Sequence, residues 1–126
     1  MANLPLISVV TCALNDFALL KQTISNISAQ TYPRIEYIVI DGGSNDGTIE
    51  LLRNSQVVTH WISEPDMGIY DAWNKGLEFA RGDYIAFLGA GDLYLGVGLD
   101  DLVHVATLNS SADFIYGKVS VGSPQQ

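Results

Sequence analysis

The residues with chemical potential in this chain are carboxylates, and they sit beside glycines. Asp41 opens the run Asp41-Gly42-Gly43-Ser44-Asn45-Asp46-Gly47-Thr48. Glu64 and Asp66 flank Pro65, Asp71 follows shortly after, and Asp92 closes Gly89-Ala90-Gly91-Asp92. Acids grouped this way repel one another unless they hold a hard cation or accept hydrogen bonds from a ligand. The glycines beside them let a ligand approach the backbone closely. Each acid alone has a plainer role. Asp46 reads as a helix cap ahead of Gly47-Thr48-Ile49, and Asp66 as a turn residue. Asp41 reads equally as a turn residue or as a ligand contact.

Other chemistries lack their signatures. The chain has no Gly-x-Gly-x-x-Gly and no Walker lysine, so the usual dinucleotide and P-loop fingerprints are missing. Without a Gly-x-Ser-x-Gly it shows no serine-hydrolase elbow. His60 and His104 fall on different elements without metal-ligand spacing and read as structural or exposed. Cys12 reads as a small buried hydrophobe with no adjacent base to activate it. Tyr70 and Trp73, one turn apart, read as a helix-packing pair.

The elements that position these residues follow from apolar patterning. Strands are predicted over Leu6–Val10, Ile35–Ile40, Val57–Ile62 and Tyr84–Leu88, with a fifth over Phe114–Val119. Helices are predicted over Phe17–Gln30, Thr48–Asn54, Gly68–Ala80 and Val97–Leu108, with Gly82 as the residue closing the third. A polar tail covers 122–126. The alternation implies an α/β fold with a mostly parallel sheet flanked by helices. In such sheets ligands bind beyond the carboxyl ends of the strands. That edge is where the acids lie.

Composition bounds the rest. With 126 residues, 48% hydrophobic and 16% charged, the chain suits one compact domain spanning 1–126. A chain this long buries roughly 65–70% of its unfolded surface. No apolar run approaches the ~20 residues needed to span a membrane. Met1–Pro5 has no basic or long apolar region of the kind a signal peptide needs. One cysteine allows neither an internal disulfide nor a cysteine zinc site, which fits a reducing cytosol. Net charge is −8, from 14 acids and 6 scattered bases, so a nucleic-acid partner is not expected. A polyanionic ligand would need a divalent cation between itself and these acids.

Taken together, four stretches resemble the N-terminal, donor-binding half of family 2 glycosyltransferases with the Rossmann-like GT-A fold. They are Pro5–Thr11 with Asn15, Glu36–Thr48, Ser63–Gly76 and Arg81–Asp92, in that order. The resemblance covers residues 5 to 117. It implies transfer of a sugar from a nucleoside-diphosphate donor, with a UDP-sugar favoured, to an acceptor hydroxyl with inversion. The acceptor class implied is a glycan or lipid-linked sugar, in polysaccharide biosynthesis, at a cytoplasmic location or peripheral to a membrane. By the same resemblance Asp41 accepts from the base and Thr11 lines the nucleotide pocket, with Asn15, Ser44 and Glu64 in the same donor site. Asp71 lies near base, ribose or donor sugar, and Lys75 near the phosphates. Asp92 helps hold Mg²⁺ or Mn²⁺ on the diphosphate.

Two departures stand against the family pattern. Its metal motif is commonly two acids separated by one residue, and here those places read Gly89 and Gly91, with Asp92 following. Family members also continue well beyond this length into the acceptor site and catalytic base, to which no residue here is assigned. The expectation is therefore an incomplete GT-A domain, inactive in isolation, exposing apolar surface and able to self-associate. The alternative is a noncatalytic or degenerate sugar-nucleotide-binding module. A receiver-like signalling domain fits less well, because strand three ends in Ile62-Ser63 rather than an aspartate.

Overall fold

The computed structural model describes residues 4–109 and 111. Strands β1 (Ile7–Ala13), β2 (Ile35–Asp41), β3 (His60–Ser63) and β4 (Tyr84–Phe87) form one sheet in the order β3-β2-β1-β4. Every pairing is parallel. Helices α1 (Phe17–Ser28), α2 (Thr48–Asn54) and α3 (Ile69–Phe79) make the crossovers, and α4 (Gly98–Leu108) follows β4. The expected strand Phe114–Val119 and tail 122–126 lie outside the described residues.

Alternate residues of the two central strands build two cores. Ile7, Val9, Tyr37 and Val39 meet Leu20, Ile24 and Ile27 of α1, Leu52 of α2, and Leu99 and Val103 of α4. Val10, Ile38 and Ile40 point the other way, onto Ala72 of α3. Because both faces are covered, β1 and β2 read as mostly apolar runs, with Ser8, Thr11, Glu36 and Asp41 as buried polar exceptions. The helix α3 lies almost on the strand. A Cβ at Gly76 would come within 2.4 Å of Val10 Cγ1. On the edge strand β4, Ile85 and Phe87 stay about half exposed, and Trp73 meets Phe87 edge-on at 4.7 Å.

Element boundaries differ from expectation for local reasons. β1 runs on to Ala13 because Thr11 and Cys12 still pair with Val39 and Ile40. β3 starts at His60 rather than Val57. The Ser55 hydroxyl accepts from the Val57 and Val58 amides (3.2 and 3.3 Å), which holds that segment in a turn. Gly82 does not close α3 by a left-handed turn. The chain leaves the helix extended at Ala80, and Gly82 is needed because it lies against β1. Its amide donates to Ser8 Oγ at 2.8 Å, and Ser8 Oγ donates to the buried Glu36 carboxylate at 2.8 Å. Arg81 N reaches the same carboxylate at 2.8 Å.

That contact generates a stability prediction. A Cβ at Gly82 would come 2.6 Å from Ser8 N and 2.7 Å from Tyr84 O, and neither backbone atom can yield cheaply. Gly82→Ala therefore costs about 1–3 kcal/mol by overpacking. A urea melt should show a lower midpoint at unchanged slope, and an unchanged midpoint would contradict this packing.

Candidate functional site

The carboxyl edge of the sheet gathers the sequence-nominated residues. Register places Ala13, Asp41 and Ser63 side by side at the ends of β1, β2 and β3. Asp41 is fully buried. Its Oδ2 accepts from Gly43 N (3.2 Å), Ser44 N (2.8 Å) and Ser63 Oγ (2.7 Å), and its Oδ1 from Ser44 Oγ. A buried carboxylate is tolerable only with such donors. The Asp41 carboxylate thus ties the loop after β2 to the end of β3. Direct contact between Asp41 and a base would require this network to open. Thr11 is also fully buried, its Oγ1 accepting from Tyr37 OH at 2.8 Å. Burial outweighs that bond at Tyr37 and pushes the phenol up to about 12.

The loop after β1 is fastened to the same framework. Asn15 N donates to Ser44 Oγ (2.7 Å), and Asn45 N donates to Asn15 Oδ1 (2.9 Å). Asn15 takes a left-handed conformation (φ 52°), which asparagine tolerates better than most residues. Asp46 accepts from Phe17 N (3.0 Å), Thr48 N (3.2 Å) and Thr48 Oγ1 (2.6 Å). It therefore joins the starts of α1 and α2, a wider role than the single cap expected. The Thr48 hydroxyl foremost holds its pKa below the usual carboxylate range.

A second cluster lies in the loop after β3. Lys75 Nζ lies 3.2 Å from Glu64 Oε1 and 3.7 Å from Asp71 Oδ2, and donates to Pro65 O at 3.2 Å. Desolvation pulls the lysine pKa down, but the hydrogen bond and charge of Glu64, helped by Asp71 and Asp66, carry it above the ordinary value. Asp71 also accepts from Met67 N (2.8 Å), fixing the start of α3. Tyr70 is 82% exposed, so the expected Tyr70–Trp73 packing pair does not form.

Asp92 belongs to a separate loop. It is exposed, and its Oδ2 accepts from Gly89 N at 3.2 Å. A Cβ at Gly89 would come 2.8 Å from that oxygen, so the Asp92 carboxylate occupies the space where a side chain at 89 would begin. Two polar residues of α1, and Gln30 just past its end, hold this loop and the segment after it. Thr23 Oγ1 accepts from Gly91 N and donates to Asp92 O. Asn26 exchanges two bonds with Tyr94, and Gln30 accepts from Leu99 N. Sequence reading missed these three, although 23 and 26 share one face of the helix. Among the described residues, no three His, Cys, Asp or Glu side chains converge on a metal position. A single carboxylate can nevertheless suffice for Mg²⁺ on a nucleotide, since phosphates and water supply its other ligands.

This edge places a glycine-rich floor, an acid-and-lysine wall and an isolated aspartate beyond the ends of parallel strands. The family model for glycosyl transferase family 2 matches residues 8–120. The chain belongs to that family. An uncharacterised glycosyltransferase of Mycobacterium tuberculosis is 43% identical over 98 residues, covering 76% of this chain and 37% of that protein. A PGL/p-HBAD biosynthesis glycosyltransferase of Mycobacterium bovis is 33% identical over 129 residues, covering 94% and 48%. The chain thus spans less than half the length of these relatives. A Pyrobaculum calidifontis mannosyltransferase solved with GDP-mannose and Mn²⁺ superposes with TM-score 0.70 at 27% identity, covering 80% of this chain and 31% of that one. Staphylococcus aureus TarS with UDP-GlcNAc matches in fold, with TM-score 0.76 at 18% identity, covering 83% and 32%. The family 2 domain here therefore has the GT-A fold, with all described strands parallel. Among its described residues no helix is long and apolar enough to cross a membrane.

Cys12 offers a test of the site's electrostatics. Burial first, and the charge of Asp66 second, push its thiol up to about 12. At pH 8 its thiolate fraction is on the order of 10⁻⁴. Iodoacetamide should alkylate Cys12 at least tenfold more slowly in the native chain than in the urea-unfolded chain, read by mass spectrometry. Equal rates would contradict this environment.

Proposed function

We propose that this family 2 domain binds a nucleoside-diphosphate sugar at the carboxyl edge of its sheet and serves transfer of the sugar to an acceptor hydroxyl with inversion. The observation that carries the reading is the convergence of three strand-end loops onto one fixed framework, beside an exposed aspartate where the diphosphate would need a cation. Asp41, Ser44, Asn15 and Thr11 hold the floor of the donor site. Glu64, Asp71 and Lys75 form its wall, with Lys75 supplying positive charge toward the phosphates. Asp92 would hold Mg²⁺ or Mn²⁺, shared with the diphosphate oxygens. When bound there, the cation neutralises charge developing on the leaving nucleoside diphosphate.

The net charge of −8 supports the cation's part, since an acidic chain meets a polyanion at an electrostatic cost. The structural likeness to a mannosyltransferase solved with GDP-mannose and Mn²⁺ supports the same reading. A base for the attacking hydroxyl is not assigned among these residues. A noncatalytic sugar-nucleotide-binding module is the second reading, and Gly89 and Gly91 at the usual acid positions favour it.

Calorimetric titration with UDP and with GDP, each with and without Mn²⁺, tests the donor site. Binding should strengthen at least tenfold with Mn²⁺. Asp92→Asn should abolish that gain while leaving the melting temperature within ~1 °C, as expected for an exposed surface change. Metal-independent binding, or a variant that keeps the gain, would remove Asp92 from the site. Donor hydrolysis or transfer by the same chain would exclude the noncatalytic reading.

A further inference from the structure

The geometry points to Asp66 as the residue that reads the nucleotide base, with its Oδ2 accepting from a ring N–H of uracil or guanine. This rests on the donor-site reading above and deepens it. A base-reading carboxylate must present a free oxygen to the cleft. Asp41 does not, because it is fully buried and both its oxygens accept bonds inside the loop network. Asp71 and Glu64 are engaged with Lys75, and Asp71 also with Met67 N.

Asp71 and Glu64 each keep a second oxygen without a hydrogen bond, but both carry the Lys75 ion pair; Asp66 differs in having no ion pair among the described residues. It is half-buried, and its Oδ1 accepts from Gly68 N at 3.2 Å, which fixes the carboxyl plane. Among the described residues, Oδ2 accepts no hydrogen bond. That oxygen lies 3.0 Å from the point where a Gly42 side chain would begin, with Leu14 Cδ1 3.5 Å from the same point. The carboxylate of the loop after β3 therefore leans over the bare backbone at the end of β2. Its field also reaches the thiol of Cys12 at the end of β1. One acceptor thus stands close against the Gly42 backbone at the carboxyl edge of the sheet, with Leu14 beside it.

The chemistry selects the base. Uracil and guanine each carry a ring N–H on the edge used for pairing, and a carboxylate accepts from it. Cytosine and adenine carry a bare ring nitrogen there, whose lone pair would face the carboxylate and be repelled. Asp66 would therefore admit uridine or guanosine donors and disfavour cytidine and adenosine ones.

The test compares UDP, GDP, CDP and ADP in calorimetry with Mn²⁺, on the full chain and on Asp66→Asn. Asparagine keeps an acceptor for Gly68 N, and circular dichroism melting checks that the fold survives. The full chain should prefer UDP or GDP over both CDP and ADP by at least tenfold, and which of the two binds more tightly identifies the donor base. In Asp66→Asn that preference should shrink to threefold or less, while CDP and ADP bind no more weakly than before. Gly42→Ala, whose methyl would crowd Asp66 Oδ2, should narrow the preference in the same direction. A variant that keeps the full preference overturns the inference. So does a uniform loss for all four nucleotides, which would place Asp66 on the diphosphate or the cation. Equal binding of all four by the unaltered chain would sink base reading by Asp66 but leave the donor site standing. Binding of none would overturn both.

Discussion

The functional edge of this domain depends on one buried carboxylate. Taking Asp41 out of water would cost several kcal/mol if it were left bare. Four donors from Gly43, Ser44 and Ser63 meet it instead. They are available only if the loop after β2 curls back on itself and β3 ends beside β2. Ser44 passes the constraint to the loop after β1 through Asn15. The positive φ of Gly43, at 95°, is part of the same requirement, since a side chain there would resist the curl. Three loops are thus fixed by the need to satisfy a single charge, before any ligand arrives.

The fourth loop is held differently. No buried charge organises Gly89–Asp92. Its backbone is met by Thr23 and Asn26, side chains of α1 that lie three residues apart. The apolar face of α1 anchors the helix to β1 and β2, so its polar edge becomes a fixed reference for Asp92. The sheet therefore positions the exposed acid at one remove, through a helix rather than through a strand end. This leaves the Asp92 carboxylate exposed while its backbone stays pinned.

Sequence pattern made the framework legible because burial on both faces writes continuous apolar runs, as in Tyr37–Ile40. It also placed the acids at the carboxyl edge of the sheet, since strand direction alone decides that. Less was visible where backbone and side chains compete. Val57 looks like a strand residue, yet the Ser55 hydroxyl captures its amide. Gly82 looks like a helix terminator, yet its reason is close approach to Ser8, a contact between residues 74 positions apart. The acids show the same limit. Spacing identified Asp41 and Asp66 as members of one edge but could not tell which carboxylate would be enclosed. That depends on whether Ser44 and Ser63 reach it, and only the register of β2 with β3 decides this.

The enclosed and open acids divide two demands that one carboxylate cannot meet together. A side chain that organises three loops must spend its lone pairs on them, and a side chain that recognises a ligand must keep one free. Asp41 meets the first demand, and Asp66 keeps one oxygen without a hydrogen bond among the described residues, set in the space that Gly42 leaves. The same pairing recurs at the fourth loop, where Asp92 fills the space left by Gly89. In both places a glycine admits a carboxylate from further along the chain, anchored by one oxygen to a backbone amide. A side chain at position 42 or 89 would begin within about 3 Å of that carboxylate and would have to displace it. The glycines at these loops thus leave the room that the Asp66 and Asp92 carboxylates occupy.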